Sequence, residues 1–396
     1  MSAARPTTPV PRLAPAQCGF ERTVEEWAQW CRARGEPEWR GRQIFTWLHR
    51  RAVFDPASMT DLPRGLRAQL EAESLAPPLT VRAAYESSDR TRKLVLQTHD
   101  ERALETVIIP QLQRADPDAD EERRVGERHV GPRITQCVST QLGCAMGCAF
   151  CASGVAGLRR HLTAAEIVGQ LHVGRRALRG EERLRNVVLM GMGEPLHNYD
   201  AVARALWLAG HPDGLGIARR RITVSTCGLV PEIERLGRDF GGQIRLALSL
   251  HAVDDERRSA ILPINRRYPI AEVLAAIRRY PRPRQARITI EYTLLAGFND
   301  ALADADALVA LLRGIPVKVN LIPVNPVEGS PYRAPSTEHV ESFRARVAAA
   351  GIPCIVRVER GGAIDAACGQ LALAGERPRV RLRRLARAGQ PSTSTS

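Results

Sequence analysis

From Arg133 onward the sequence alternates between short apolar runs rich in β-branched residues and longer stretches whose apolar positions recur with helical spacing. The runs predict strands over 133–138, 186–191, 221–226, 244–249, 287–293 and 317–322. The stretches between and after them predict helices over 163–178, 199–209, 231–238, 271–280, 303–313 and 336–350. Such βα repetition leaves few solutions, because parallel strands must be joined by right-handed crossovers, and ligands then bind at the carboxyl ends of the strands. Six units are too few to close an eightfold barrel.

The residues that follow each strand are the unusual ones. The second strand ends in Gly191-Met-Gly193-Glu194-Pro195, the third in Ser225-Thr-Cys-Gly228 and the fourth in Ser249-Leu250-His251. The fifth carries Glu291, and the sixth runs from Asn320 into Asn325. Singly, each group reads as a loop or a helix cap. Together they crowd one cavity mouth in a way that capping alone does not explain. Gly-Glu-Pro after a buried strand makes a tight turn whose backbone can approach a ligand amino group, with Glu194 as a charged acceptor.

Between the first strand and the first helix of this region lies Cys144-Ala-Met-Gly-Cys148-Ala-Phe-Cys151. A structural zinc site closes its tetrahedron with four protein ligands, and a ferredoxin-type cube takes four thiolates. Here no fourth cysteine is near, since Cys137 is upstream on the strand and the next is Cys227. The run is either a zinc or redox site lacking one ligand, or an iron–sulfur cube with one iron open to a ligand from solution.

Composition narrows the setting. No run of about 18 apolar residues occurs, so no membrane span is expected, and Met1 to Pro15 lacks the apolar core of a signal peptide. A cytoplasmic protein with reduced thiols follows, and its nine cysteines are not a disulfide framework. Cys18, Cys31, Cys227 and Cys354 read as ordinary buried or half-buried residues. The net charge is +14, and of the 57 Lys and Arg residues only Lys93 and Lys318 are lysine. That excess of Arg over acids favours a nucleic-acid partner, since guanidinium forks onto phosphate and stacks on bases.

The remaining segments divide the chain. Residues 1–19 are Pro- and Ala-rich and predicted disordered. Residues 20–78 predict a small helical accessory domain whose exposed face carries Arg32, Arg34, Arg40, Arg42, Arg50 and Arg51, either a capping module or an RNA-docking one. Residues 79–132 predict a β-hairpin linker, with strands around 93–97 and 104–109 and a charged insertion at 111–130. Glu105 falls in the second of these strands, where a lone carboxylate ordinarily faces solvent. Residues 133–375 form the βα region, and an Arg-rich flexible tail covers 376–396.

The cysteine run resembles the signature of the radical S-adenosylmethionine (SAM) enzymes, in which the open iron binds SAM and an electron from the cluster cleaves it to an adenosyl radical. The resemblance implies an α/β fold with a partial (βα)6 barrel. Taken with Cys137-Val-Ser-Thr-Gln-Leu-Gly-Cys144, the Gly191–Pro195 and Ser249–His251 segments and Ile364-Asp-Ala-Ala-Cys368-Gly-Gln-Leu371, the chain resembles the RlmN/Cfr family of radical SAM RNA adenine methyltransferases from about Pro37 to Leu371. That family methylates C2 of one adenine in 23S rRNA and often C2 of adenine 37 in tRNA, and a minority branch modifies C8 instead.

What the resemblance implies is specific by residue. Cys144, Cys148 and Cys151 would hold a [4Fe-4S] cluster. Gly193, Glu194, Ser225, Ser249, Leu250, His251 and Asn325 would contact SAM, some through backbone. Cys368 would be methylated by one SAM, activated by a second and joined to the base; Glu105 would take the C2 proton. Cys137 would then release the product by forming a transient disulfide with Cys368. A monomer fed by an electron donor such as flavodoxin or ferredoxin is implied. A radical SAM enzyme acting on a protein or small molecule, and an RNA-binding protein with a structural cluster, remain the alternatives. The chain departs from the family pattern in its charged insertion, which separates Glu105 from Cys137, and in Gly362-Ala363 ahead of the Cys368 segment.

Overall fold

The structure, a computed structural model, describes residues 13–111, 132–325, 327, 330–357, 360–367 and 369–371. The helical region comprises α1 (Val24–Arg32), α2 (Trp39–Phe45), continued as a π turn over Thr46–Arg50, and α3 (Arg64–Leu70). Thr23 and Glu26 start α1 with a reciprocal capping box. A three-stranded antiparallel meander follows: β1 (Leu79–Glu86), β2 (Arg92–Thr98) and β3 (Ala103–Gln111). The βα region begins at β4 (Arg133–Cys137), and a two-residue pair, β5 (Gln141–Leu142) with β6 (Arg160–His161), brackets the short α4 (Ala152–Ala156).

The alternation then runs as the periodicity requires: α5 (Ala164–Arg176), β7 (Arg183–Leu189), α6 (Tyr199–Gly210), β8 (Ile222–Thr226), α7 (Val230–Phe240) and β9 (Arg245–Ser249). It continues through α8 (Asp255–Ile261), α9 (Ile270–Arg279), β10 (Ile288–Leu294), α10 (Leu302–Leu312), β11 (Val317–Pro323), α11 (Thr337–Ala349) and β12 (Cys354–Val356). Ten of these strands form one sheet in the order β1-β2-β3-β4-β7-β8-β9-β10-β11-β12, antiparallel as far as β4 and parallel from there on.

Three expectations change. The hairpin is not a linker, because β3 pairs directly with β4 (Gln111 opposite Arg133, Val107 opposite Cys137), so the meander extends the barrel sheet itself. Of the insertion expected at 111–130, Gln111 ends β3 and residues 112–130 lie outside the described residues; the strands on either side stay paired. A seventh parallel strand, β12, adds to the six expected; three residues are too few to carry a periodicity. Residues 13–19 are held in place rather than disordered, since Arg204 on α6 donates from Nε to the Ala14 carbonyl at 3.0 Å and the Gln17 amide donates to Glu21. Residues 1–12 and the tail at 376–396 lie outside the described residues.

The helical region packs on α5 and α6 through a seam of aromatic rings. Phe20 meets His49 at 4.8 Å, Phe45 meets His49 at 4.6 Å, and His49 meets His172 at 5.6 Å between ring centroids. The buried Arg204 forks onto Glu26 across the same seam. Burial pulls the His49 imidazole down to about 3 and His172 well below its ordinary value. Both rings are neutral when folded, whereas the unfolded chain binds protons below about pH 6.5. Stability is therefore lost as pH falls, by about 1.4 kcal/mol per pH unit for each imidazole. The carboxyls of Glu194 and Glu291, raised by burial, act in the opposite direction. A His49→Phe variant isolates the effect: its stability relative to the parent should rise by about 1.4 kcal/mol per pH unit between pH 6 and 4 in urea titrations. A constant difference across that window would show that His49 is protonated in the fold.

Candidate active site

The carboxyl ends of the parallel strands open into a cavity. Its lining includes Cys144, Cys148 and Cys151, Gly193 and Glu194, Ser225, Ser249, His251, Glu291 and Asn325. Groups drawn from β7, β8, β9, β10 and β11 and from the loop after β5 thus converge, as the strand-end rule requires. Leu250 is the exception among the expected contacts. Its side chain is fully buried away from the cavity, its amide donates to the Glu291 carbonyl and its own carbonyl accepts from Arg258.

Each lining group is set by its backbone. Gly193 has φ +97°, and a Cβ there would lie 2.5 Å from the Cβ of Gln141, so the turn requires glycine. The Gln141 side-chain oxygen accepts from the Glu194 amide at 2.8 Å, fixing the turn from the other side. The Glu194 carboxylate accepts from the amides of Leu196 (3.0 Å) and Cys227 (2.9 Å). It caps its own turn and also ties β7 to β8. His251 adopts φ +58°, a left-handed conformation disfavoured for a non-glycine residue. Its Nδ1 accepts from the Thr293 amide at 2.9 Å, which leaves the proton on Nε2, and burial holds the ring neutral, down to about 3.

Arg258, which sequence reasoning missed, underlies this rim. It is fully buried and donates to the carbonyls of Leu250 (3.0 Å), Cys227 (2.6 Å) and Ser249 (3.1 Å) and to Asn265 Oδ1 (2.7 Å). Cys227 also proves more than an ordinary core residue, since it lines the cavity. Glu291 is a buried carboxylate on the adjacent strand β10, in register with Ser249, bonded by Asn320 Nδ2 at 3.0 Å and faced by Arg357 at 3.9 Å.

The donor set fits an iron–sulfur cluster better than a single ion. Among the described residues the cavity brings together Cys144, Cys148, Cys151 and, on the β8 end, a Cys227 tied to the Glu194 carboxylate through its amide; three cysteines from one short run are one ligand short of a closed tetrahedral zinc site and suit a cube with one iron open. Burial, with the neighbouring Glu194 and Cys151, pushes the Cys144 thiol up to about 12, so three thiolates here call for a strongly positive occupant.

Beside this cavity is a smaller apolar patch of Val107, Cys137, Met192, Ile364, Ala366 and Leu371. Cys137 is 7% exposed, and Val107 faces it across the β3–β4 pair. Glu105, two residues from Val107, shares its face of the sheet. It is 3% exposed, not solvent-facing as a lone strand carboxylate ordinarily is; the paired β2 and β4 and the 361–371 segment cover that face. Cys368 lies outside the described residues. The residues around it bridge both places: Ile364, Ala366 and Leu371 pack on the Cys137 patch, Gly369 lines the cysteine cavity and accepts from the Ala152 amide, and Ser153 Oγ donates to the Leu371 carbonyl.

A parallel sheet with three thiols at its carboxyl-end cavity defines the radical SAM class, and the family description "Radical SAM superfamily" matches residues 138–309. The description "Ribosomal RNA large subunit methyltransferase N-terminal domain" matches residues 20–75. The dual-specificity RNA methyltransferase RlmN of Sorangium cellulosum is 54% identical over 91% of this chain and 96% of its own length. That of Geobacter sulfurreducens is 45% identical over 88% and 90%. The crystal structure of a radical SAM methyltransferase from Sphaerobacter thermophilus superposes with a TM-score of 0.79 at 44% identity, covering 90% of this chain and 99% of that one. The chain belongs to the RlmN family of radical SAM RNA methyltransferases, whose cofactors are a [4Fe-4S] cluster and SAM. Among the described residues no helix is long and apolar enough to cross a membrane.

Proposed function

We infer that this protein methylates C2 of adenine in 23S rRNA and in tRNA. The observation that carries the reading is the pairing of two places: a cavity lined by Cys144, Cys148 and Cys151, and a neighbouring patch around Cys137, both touched by the segment that contains Cys368. C2 of adenine is electron-poor and has no lone pair to offer, so ordinary displacement on a methyl sulfonium gains little transition-state stabilisation. When bound, the cluster and SAM supply one-electron chemistry able to functionalise such a carbon.

The chain's own groups take the remaining roles. Cys144, Cys148 and Cys151 hold the cluster, and Gly193, Glu194, Ser225, Ser249, His251 and Asn325 line the space for SAM. Leu250 contributes by fixing the strand end rather than by side-chain contact. Cys368 carries the methyl-derived carbon, Glu105 accepts the C2 proton, and Cys137 resolves the protein–RNA bond. The helical region docks RNA. Its Arg34, Arg40 and Arg51 stack over Trp30, Trp39 and Trp47 at 4.0, 4.4 and 3.9 Å, and Trp39 is 56% exposed, so cationic and flat surfaces alternate as RNA recognition needs. Residues 20–78 serve as that docking domain, and the barrel with its meander as the catalytic one. The protein works as a cytoplasmic monomer with a flavodoxin- or ferredoxin-type donor.

Anaerobic reconstitution tests the reading. About four iron atoms per chain, SAM cleavage and C2-methyladenine in 23S rRNA and tRNA by mass spectrometry are expected, with iron binding lost in Cys148→Ser. Bound zinc without SAM cleavage would instead favour a structural metal module. C8-methyladenine as the product would move the chain to the other branch of the chemistry.

A further inference from the structure

We propose that Lys93 is a positioning residue for the proton transfer: its ammonium keeps Glu105 ionised and ties it to the segment that leads to Cys368. This rests on the reading of Glu105 as proton acceptor. The register makes Lys93 a facing partner of Val107 on β3, and Val107 faces Cys137 on β4, so one row of the sheet runs Tyr85, Lys93, Val107, Cys137, Val188. Glu105 is the diagonal neighbour of Lys93 in that row, within reach of a long side chain. The two meet with Nζ 3.1 Å from Oε1, at side-chain exposures of 8% and 4%.

The same ammonium donates to the Asp365 carbonyl at 3.3 Å. Asp365 has φ +50°, a left-handed conformation that needs support in a non-glycine residue, and it lies three positions before Cys368. Gly361, at the start of the segment, donates to Asp89 at 3.3 Å, so the meander grips this segment at two points. Lys93 joins it to the candidate base.

The residue type sharpens the case. Of 57 cationic residues only Lys93 and Lys318 are lysine, so a chain that otherwise uses arginine places a compact ammonium here. An ammonium presents three tetrahedral donors, which suits a carboxylate and a carbonyl in different directions, whereas a guanidinium presents a planar fork. The physical role follows from burial. A carboxylate removed from water without a counter-charge favours its protonated form and could accept nothing. With Lys93 at Oε1, Glu105 stays a carboxylate. When it takes the proton from the adenine carbon, the C–H electron pair stays on the adenine ring and the acid formed faces an ammonium, which favours release of that proton before the next turnover.

A buried ion pair that serves packing alone is the rival account, and two measurements separate them. The first is an infrared titration of the reconstituted full chain, following the carboxylic C=O band assigned by its loss in Glu105→Gln. The midpoint should rise by at least one pH unit in Lys93→Gln, which keeps an N–H donor and loses the charge, and in Lys93→Met, while Lys93→Arg should hold it near the parent value. The second is the pH dependence of single-turnover RNA methylation. Its acidic limb should move up with the infrared midpoint. An unshifted midpoint and limb in either neutral variant, with Glu105→Gln inactive, would overturn the role of Lys93 and leave Glu105 as the base. Full RNA methylation in Glu105→Gln would remove the base reading and this proposal together.

Discussion

Replacing Arg258 with methionine is expected to cost the fold about 3 kcal/mol, the sum of orphaned carbonyls less the relief of a buried charge. The guanidinium is fully buried and bonds to three main-chain carbonyls, those of Cys227, Ser249 and Leu250, and to the Asn265 amide oxygen. Methionine fills much of the stem's volume, so the loss is polar rather than a cavity. Each buried carbonyl left without a donor costs about 1–3 kcal/mol, and the Leu250 carbonyl is spared because it also accepts from the Ala252 amide at 2.9 Å. Against that, the guanidinium is itself disfavoured by burial, which lowers its affinity for its proton, and its removal returns part of the cost. The consequence for the site is larger than for the fold. The three carbonyls end β8 and β9, where Cys227, Ser249 and His251 line the cavity, and the left-handed His251 depends on that scaffold. SAM affinity, read by equilibrium dialysis on the reconstituted protein, should fall by about 100-fold, the result of misplacing several contacts together. A urea midpoint within 1 kcal/mol of the parent and unchanged dialysis would show that the rim holds itself.

Arg258 also illustrates what a sequence conceals. It stands in Asp255-Glu-Arg-Arg-Ser, which reads as a solvated helical turn. Its neighbour Arg257 behaves so, half-buried and paired with Asp254 and Asp304. One residue further round the helix, the side chain points into the barrel. Nothing local distinguishes the two, because α8 has too few turns to show a periodicity. Glu105 was obscured differently: alternation along one strand shows that it has two faces, not which face another segment will cover. The covering segment, 361–371, comes from the far end of the chain. By contrast most of the βα region was legible, since its short β-branched runs alternate with helical stretches, although β7 begins three residues before the expected 186 and α8 was not foreseen. The strand-end loops were legible for the same reason, as their polar and glycine residues interrupt that pattern where the ligand must lie.

Cys137→Ala is expected to convert the enzyme into a covalent trap, with multiple-turnover methylation down by roughly 10³-fold or more and RNA retained on Cys368. The argument begins with the patch. Cys137 sits on β4 between Val107 and Val188, packed by Ile364, Ala366 and Leu371 from the segment around Cys368 and by Met192 from the strand-end turn. It is outside the cysteine cavity, so alanine there leaves Cys144, Cys148, Cys151 and the rest of the cavity lining untouched. The early steps should therefore run normally, including methylation of Cys368 and formation of its bond through carbon to the base. In the proposed scheme, release requires a thiolate to attack the Cys368 sulfur: an S–S bond forms, the C–S bond breaks with its electron pair moving to carbon, and that carbon takes up a proton to become the methyl group. Alanine supplies no sulfur, and among the described residues no other cysteine belongs to that patch. The adduct should survive denaturing electrophoresis and, after nuclease digestion, appear as an adenine-derived mass on the Cys368 peptide. Reagent thiols in excess should release it slowly if the patch admits them. Isolating the variant free of RNA, with methylated adenine still produced at the parent rate, would show that Cys137 is a core residue and that the protein–RNA bond is resolved elsewhere.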